Sequence, residues 1–182
     1  FFHEDNSFRR AFRTFDSAAA FRELVETQLR KADIQLVCEF ESDLPPVWAS
    51  PDHLHVMWLN LLLNARDAIE EKRDGGTIQV TSHRRDDRII VRVADTGVGM
   101  SDEMLKHLFE PFFTTRSSQG GTGLGLSICH NIVKSFSGSI EVESAMGAGS
   151  QFRFTARCRV QAESMAPSDA QPSPRQPETV RV

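Results

Sequence analysis

Two glycine clusters constrain this chain more than any other feature of it: one closes a strand-like run and the other opens a helix-like run. Asp95-Thr96-Gly97-Val98-Gly99-Met100 follows the β-patterned stretch Arg88 to Ala94, and Gly120-Gly121-Thr122-Gly123-Leu124-Gly125-Leu126 leads into an apolar helical pattern. Upstream, Asn60 and Asn64 stand one helical turn apart in Asn60-Leu61-Leu62-Leu63-Asn64-Ala65-Arg66-Asp67-Ala68. Glycines also make ordinary turns, so a single cluster says little about a ligand. Elements of such different chemistry, in this order within one short domain, point to a nucleotide site.

A chain of 182 residues is long enough for one domain with a real core and too short for two full ones. The net charge of −4 provides no electrostatic footprint for nucleic acid. Cys38, Cys129 and Cys158 are odd in number and lack metal-ligand spacing, so they read as buried thiols in a reducing compartment. No apolar run approaches the roughly 20 residues needed to span a bilayer, and no signal-peptide pattern opens the chain. A soluble, cytoplasmic domain is expected. A start at Phe1 suggests a piece of a longer protein.

Phe8, Phe12 and Phe15 alternate with Arg9, Arg10 and Arg13 as an amphipathic helical stripe, and Ala18 to Lys31 reads as a second helix capped by Asp16 or Ser17. Ile34 to Glu41 alternates like a strand, with Ile34, Leu36, Cys38 and Phe40 on one face, and a short strand is expected at Val47 to Ala49. Ser50-Pro51-Asp52 is a strong helix start, with a hydroxyl cap, a proline at the first helical position and an acid in the first turn. That helix should run to about Lys72. Its apolar surface includes Leu54, Met57, Trp58, Leu61, Leu62, Ala65 and Ile69, while Asn60, Asn64, Asp67 and Glu71 form a polar stripe along it.

Thr77 to His83 and Arg88 to Ala94 read as a hairpin around Arg84-Arg85-Asp86-Asp87. A short helix starts at Ser101, a longer one spans Leu124 to Phe136, and strands follow at Ser139 to Ser144 and Ser150 to Val160. The order predicts an α/β fold, a two-layer sandwich with a mixed β-sheet covered on one face by helices. From residue 161 onward prolines recur without any aromatic residue, which predicts a disordered tail over 161–182.

The asparagine pair and glycine clusters resemble the N, G1 and G2 boxes of the ATP-binding domain (the Bergerat-type fold) shared by sensor histidine kinases, DNA gyrase, Hsp90 chaperones and MutL. Phe109-Glu110-Pro111-Phe112-Phe113-Thr114-Thr115 resembles the F box of the histidine kinase branch, and Gly147-Ala148-Gly149-Ser150 fits the last glycine box. The resemblance covers residues 17–160. Residues 1–16 would then be the end of a dimerisation or linker helix.

The resemblance implies ATP and magnesium as cofactors. Magnesium takes hard oxygen ligands, and Asn64 stands where the family's metal-binding asparagine stands, with Asn60 beside it in the catalytic set. Seen alone, the two asparagines would read as a solvated helix face; flanked by leucines and followed by the glycine clusters, they read as ligand-facing. By the same resemblance, Asp95 accepts the exocyclic amine of adenine while Gly97 and Gly99 let the backbone turn closely around the base. Gly121, Thr122, Gly123, Leu124, Gly125 and Leu126 would cradle phosphate at a helix start. Thr114 to Gly120 reads as a lid, in which Thr115 and Arg116 are candidate nucleotide contacts. Asp67 joins this set from the helix.

Departures from the family matter equally. Gyrase, Hsp90 and MutL carry a general-base glutamate one turn before the metal asparagine, where this chain has Asn60, which argues for phosphoryl transfer over rapid hydrolysis. Many histidine kinases have a lysine where Asp67 stands, with Arg66 here as its neighbour. His3-Glu4-Asp5 echoes only the first letters of the phosphoacceptor box, so the acceptor histidine is expected on a dimerisation domain upstream of Phe1. Expected partners are that domain, in a homodimeric parent, and a response regulator receiver domain. An anti-sigma-factor-type serine kinase and a nucleotide-binding module without transfer activity are the alternatives, the first disfavoured by the F box.

Overall fold

The computed structural model describes residues 27–42, 44–45, 47, 49–116 and 121–158. Its elements are β1 (Ile34–Phe40), α1 (Pro51–Lys72), β2 (Gly76–Arg85), β3 (Arg88–Asp95), α2 (Asp102–His107), α3 (Gly125–Ser135), β4 (Ile140–Ala145) and β5 (Gly149–Arg157). The five strands form one sheet in the order β1-β2-β3-β5-β4. β1 and β2 run parallel, joined by the crossover through α1, and every other pairing is antiparallel. The result is the expected two-layer α/β sandwich on a mixed sheet.

The layer boundary follows from strand alternation. Ile78 and Val80 on β2, Ile89, Val91 and Val93 on β3, and Phe152, Phe154 and Ala156 on β5 are buried, whereas Arg88 and Arg92 are exposed. α1 lies over these buried rows with Leu54, Met57, Trp58, Leu61, Leu62, Ala65 and Ile69 beneath it. Trp58 meets Phe154 edge-on at 5.8 Å between ring centroids, which ties the helix to β5. α3 packs beside α1 and donates a thiol hydrogen bond from Cys129 to the Met57 carbonyl. Burial pushes that thiol up to about 12, so Cys129 is a packing residue.

Several expectations change in detail. Ser50 occupies the N-cap of α1, but its side chain makes no capping bond. Proline at the next position and the backbone bond from Leu54 N–H to Ser50 O fix that turn instead. Of the short strand expected at Val47 to Ala49, Val47 forms an isolated bridge to Cys158 and Ala49 lies in no strand, while Trp48 lies outside the described residues. Burial fades along β1 from Ile34 at 6% to Phe40 at 37% exposure, so Cys38 is exposed and is not the buried thiol expected. β5 ends at Arg157. Residues 27–31 are helical, while the Phe8 stripe, most of the helix from Ala18, His3, the distal lid and the tail lie outside the described residues. Among the described residues no helix is long and apolar enough to cross a membrane.

Candidate nucleotide site

α1 is the spine on which the separate motifs meet. A Cβ added at Gly97 would lie 2.6 Å from the Ala68 backbone, and one added at Gly125 would lie 2.8 Å from Asn60 Oδ1. Ala68 and Asn60 are about two turns apart, roughly 12 Å along the helix axis. The first glycine cluster therefore seats on the C-terminal half of α1, and the second seats on its middle.

At the first contact, Asp95 closes β3 with only 8% of its surface exposed. Its Oδ1 accepts hydrogen bonds from the Gly97 N–H at 2.9 Å and the Ser150 N–H at 3.3 Å. Burial raises the pKa of this carboxyl above its ordinary value, opposed by the Gly97 and Ser150 N–H groups, the Arg116 guanidinium and the Ser150 hydroxyl. The following loop is stitched on both sides: Val98 N–H donates to Ala68 O at 3.0 Å, and Gly147 N–H donates to Val98 O at 2.6 Å. Gly99 has φ +68, and a Cβ there would sit 1.9 Å from the Ala145 carbonyl oxygen. Lys72 Nζ donates to Thr96 O at 3.0 Å, and Thr96 Oγ1 accepts from Thr77 N–H at 3.0 Å.

At the second contact the polar stripe of α1 faces the start of α3. Asn60 Nδ2 donates back to Val56 O at 2.9 Å, which leaves Oδ1 against Gly125. The half-buried Asn64 amide makes no hydrogen bond to another described residue. Thr122 Oγ1 accepts from Leu124 N–H at 3.4 Å, and Ser127 Oγ donates to Leu124 O at 2.9 Å within the first turn of α3. Gly123, at φ +67, would place a Cβ 2.4 Å from the Phe112 carbonyl carbon. Its own carbonyl accepts from Phe112 N–H at 2.9 Å, so the F box and the glycine loop are laced together.

The base of the lid is closed. Arg116 O accepts from Gly121 N–H at 3.0 Å, and Arg116 N–H donates to Thr114 Oγ1 at 3.0 Å. The Arg116 guanidinium reaches α1, with Nη1 3.4 Å from Asp67 Oδ2 and Nη2 3.3 Å from Glu71 Oε2. Asp67 is also held by Arg66, which extends along its own helix to Glu70 at 3.6 Å. Arg66 is therefore turned into this ion-pair row. Thr115 is exposed, and Leu126 packs against the core as a partly buried residue.

The F-box phenylalanines divide. Phe109 packs against the core and meets the His130 ring at 5.3 Å, and Phe113 meets the His107 ring at 5.7 Å. Phe112 is 75% exposed, at φ +68, a conformation unfavourable for a bulky residue. His107 sits between Glu110 and Glu103, and its pKa is raised, first by the Glu110 hydrogen bond.

Gly97 and Gly125 seat against α1 and Arg116 pairs with Asp67 there, whereas Asp95 and Gly99 pack toward β5 and the β4–β5 turn; the sequence had named these residues without their pairings. It did not give Ser150 a site role. The signal was the Gly147-Ala148-Gly149-Ser150 pattern, which aligns Ser150 opposite Asp95 in the β3–β5 register.

Comparison with known proteins agrees with this geometry. Residues 49–160 match the family described as histidine kinase-, DNA gyrase B- and HSP90-like ATPase. Sporulation kinase E of Bacillus subtilis (strain 168) is 37% identical over 142 residues, which are 78% of this chain and 19% of that protein. The chain thus spans about a fifth of the length of that relative. Among solved structures, the nucleotide-free catalytic domain of histidine kinase ThkA superposes with a TM-score of 0.67 at 29% identity, covering 84% of this chain and 95% of that one. Full-length ShkA in complex with AMPPNP gives a TM-score of 0.64 at 27% identity, over 76% of this chain and 30% of that chain. With its mixed sheet, its glycine loops and its asparagine-bearing spine, this chain belongs to the histidine kinase-, gyrase B- and HSP90-like ATPase family, in its histidine kinase branch.

Proposed function

We propose that this chain is the ATP-binding catalytic domain of a two-component sensor histidine kinase, passing the γ-phosphoryl group of ATP to a histidine on a dimerisation domain outside residues 17–160. The observation that carries the proposal is the convergence of Asp95, the second glycine cluster and the lid arginine on one helix. Its two glycine contacts are spaced so that an extended nucleoside triphosphate can bridge them.

Asp95 accepts the adenine amine, and the Gly97 and Ser150 N–H groups hold its carboxylate in place before the ligand arrives. The backbone amides at the start of α3 face the phosphates, where the helix dipole favours negative charge. Arg116 exchanges its carboxylate partners for the γ-phosphate. Among the described residues no cluster of His, Cys, Asp and Glu could hold a metal. Magnesium would instead take the Asn64 amide oxygen together with phosphate oxygens and water, and when bound it neutralises phosphate charge. Asn60 orients the phosphate side and supplies no general base, so the chain works by positioning and electrostatics.

The histidine-bearing hairpin of a homodimeric parent is the partner that meets the exposed Phe112, and a response regulator receives the phosphoryl group afterwards. The cytoplasm, which holds ATP, is the compartment we assign. The test is radiolabelled ATP supplied to this chain alone and with a dimerisation hairpin from the same parent. Acid-labile, base-stable label on the hairpin histidine is expected, with none on this chain. Stable label on this chain that vanishes in His3→Ala would overturn the placement of the acceptor. Acid-stable label on a partner serine would make it a serine kinase.

A further inference from the structure

Asp95, Ser150 and Ser144 form one row across three adjacent strands. Asp95 on β3 is in register with Ser150 on β5, which is in register with Ser144 on β4. Ser144 Oγ accepts from Met100 N–H at 2.9 Å and donates to Gly149 O at 2.8 Å, with Ser150 Oγ 3.1 Å away. A hydroxyl carries a single proton. The Gly149 carbonyl can only accept, so it takes the Ser144 proton, and the Gly149–Ser150 peptide tethered on that side presents its N–H to Asp95 Oδ1 at 3.3 Å on the other. The loop from Asp95 to Met100 is therefore pinned at both ends, by Asp95 Oδ1 on Gly97 N–H and by Ser144 Oγ on Met100 N–H. Gly149 permits the close approach: at φ +87, a Cβ there would lie 2.0 Å from Asp95 O.

We propose that Ser144 is a positioning residue for adenine recognition, acting through the Gly149–Ser150 peptide and the Met100 amide to hold Asp95 and its loop in the reading geometry. This rests on the role given to Asp95 above. Ser144 touches no part of the nucleotide in this account. It fixes the Gly149–Ser150 peptide whose N–H holds Asp95 Oδ1, and so keeps the carboxylate turned for the adenine amine.

The N–H donated by Ser150 favours the ionised carboxylate, so loosening its peptide adds to the effect of burial and raises the pH at which Asp95 takes up a proton. The charged groups at this end are Arg116, which favours ionisation of Asp95, and Lys72, whose Nζ is bonded to Thr96 O. Neither changes when Ser144 is replaced.

The experiment titrates magnesium complexes of ATP and GTP into wild type, Ser144→Ala, Ser144→Thr and Asp95→Asn, from mildly acidic to neutral pH. Ser144→Ala should weaken ATP binding about three- to tenfold, the size of one net hydrogen bond. It should also narrow the preference for ATP over GTP, and the acid-side loss of ATP affinity should move to higher pH. Ser144→Thr, which keeps the hydroxyl, should restore all of these. A role confined to holding the β4–β5 turn would lower the unfolding temperature and leave the preference and the acid-side midpoint where they are. Wild-type preference and midpoint in Ser144→Ala, with Asp95→Asn still weak, overturns the proposal. Wild-type affinity in Asp95→Asn overturns the adenine reading itself. Should Ser144→Ala not fold, Ser144→Cys, with its weaker donor, is judged by the same outcomes.

Discussion

The Asp95 end and the Arg116 end of the candidate site are built from different materials. Around Asp95 the partners are backbone groups: the N–H groups of Gly97 and Ser150 hold the carboxylate, and the carbonyls of Ala68 and Ala145 crowd the glycines. Around Arg116 the partners are side chains, Asp67 and Glu71, and the arginine side chain retains 23% exposure. Backbone packing of the first kind does not relax without moving a strand or helix. Partly exposed ion pairs of the second kind contribute about 0–1 kcal/mol each and are readily exchanged. One end is built rigidly, and the other is held by contacts that exchange easily.

The largest expected effect lies at the fixed end. Gly99→Ala combines φ +68 with a 1.9 Å approach to the Ala145 carbonyl. It should cost about 3 kcal/mol or more in urea unfolding. Gly147→Ala is the control, because its φ is +80 but nothing lies within 4 Å of the added Cβ. It should cost only about 1–2 kcal/mol, the left-handed backbone penalty alone. Equal costs for the two would show that the Asp95 end is not rigid.

Asp95→Asn comes next, with ATP affinity falling by about 1.5–3 kcal/mol in isothermal titration, the range for a hydrogen bond to a charged group. Stability should move the other way. The folded pKa of Asp95 is raised, so its contribution to stability is present below the unfolded value and is lost as pH rises through the folded one. In unfolding experiments Asp95→Asn should therefore gain on wild type between acid and neutral pH. A gap that stays constant with pH would mean that the carboxylate is not desolvated.

Smaller effects are expected at the responsive end. Glu71→Gln removes one of the two carboxylates that hold Arg116, so ATP should bind about two- to fivefold more tightly at low salt, with stability changed by under about 1 kcal/mol. Weaker binding would show that Arg116 does not leave α1 for phosphate. The smallest signal is hydrogen exchange at the Arg116 and Gly121 amides, whose acceptors lie within the lid base. Exchange should slow more with a non-hydrolysable ATP analogue than with ADP. Equal protection would separate the lid from the γ-phosphate.

The same division explains what was legible in the sequence. α1 could be read from Pro51 to Lys72 because a proline start, a broad apolar surface and a glycine-bearing turn all agree. Asp95 and its glycines could be read because only glycine tolerates such approaches. The partners of Arg116 could not, since an ion pair between a lid and a helix depends on tertiary placement and carries no periodic signature. The isolated bridge at Val47 was hidden for a related reason, because a short apolar run after prolines does not specify whether it finds a ladder or a single bridge. The exposure of Cys38 was hidden too, as alternation gives a face but not how far along the strand that face is covered.

The parallel pairing of β1 with β2 also bears on how the chain folds. Ile34 is in register with Gly76, so this pairing closes a loop of about forty residues that contains all of α1, whereas β2 and β3 close through the two residues Asp86 and Asp87. Local hairpins form in microseconds, while long-range parallel pairing waits for the helix to dock. β1 is therefore expected to join last, and until it does the β2 strand presents an open edge to other chains. Refolding yield should then fall as chain concentration rises. The limiting encounter is between the beginning of the sheet and a strand whose partner has not yet arrived.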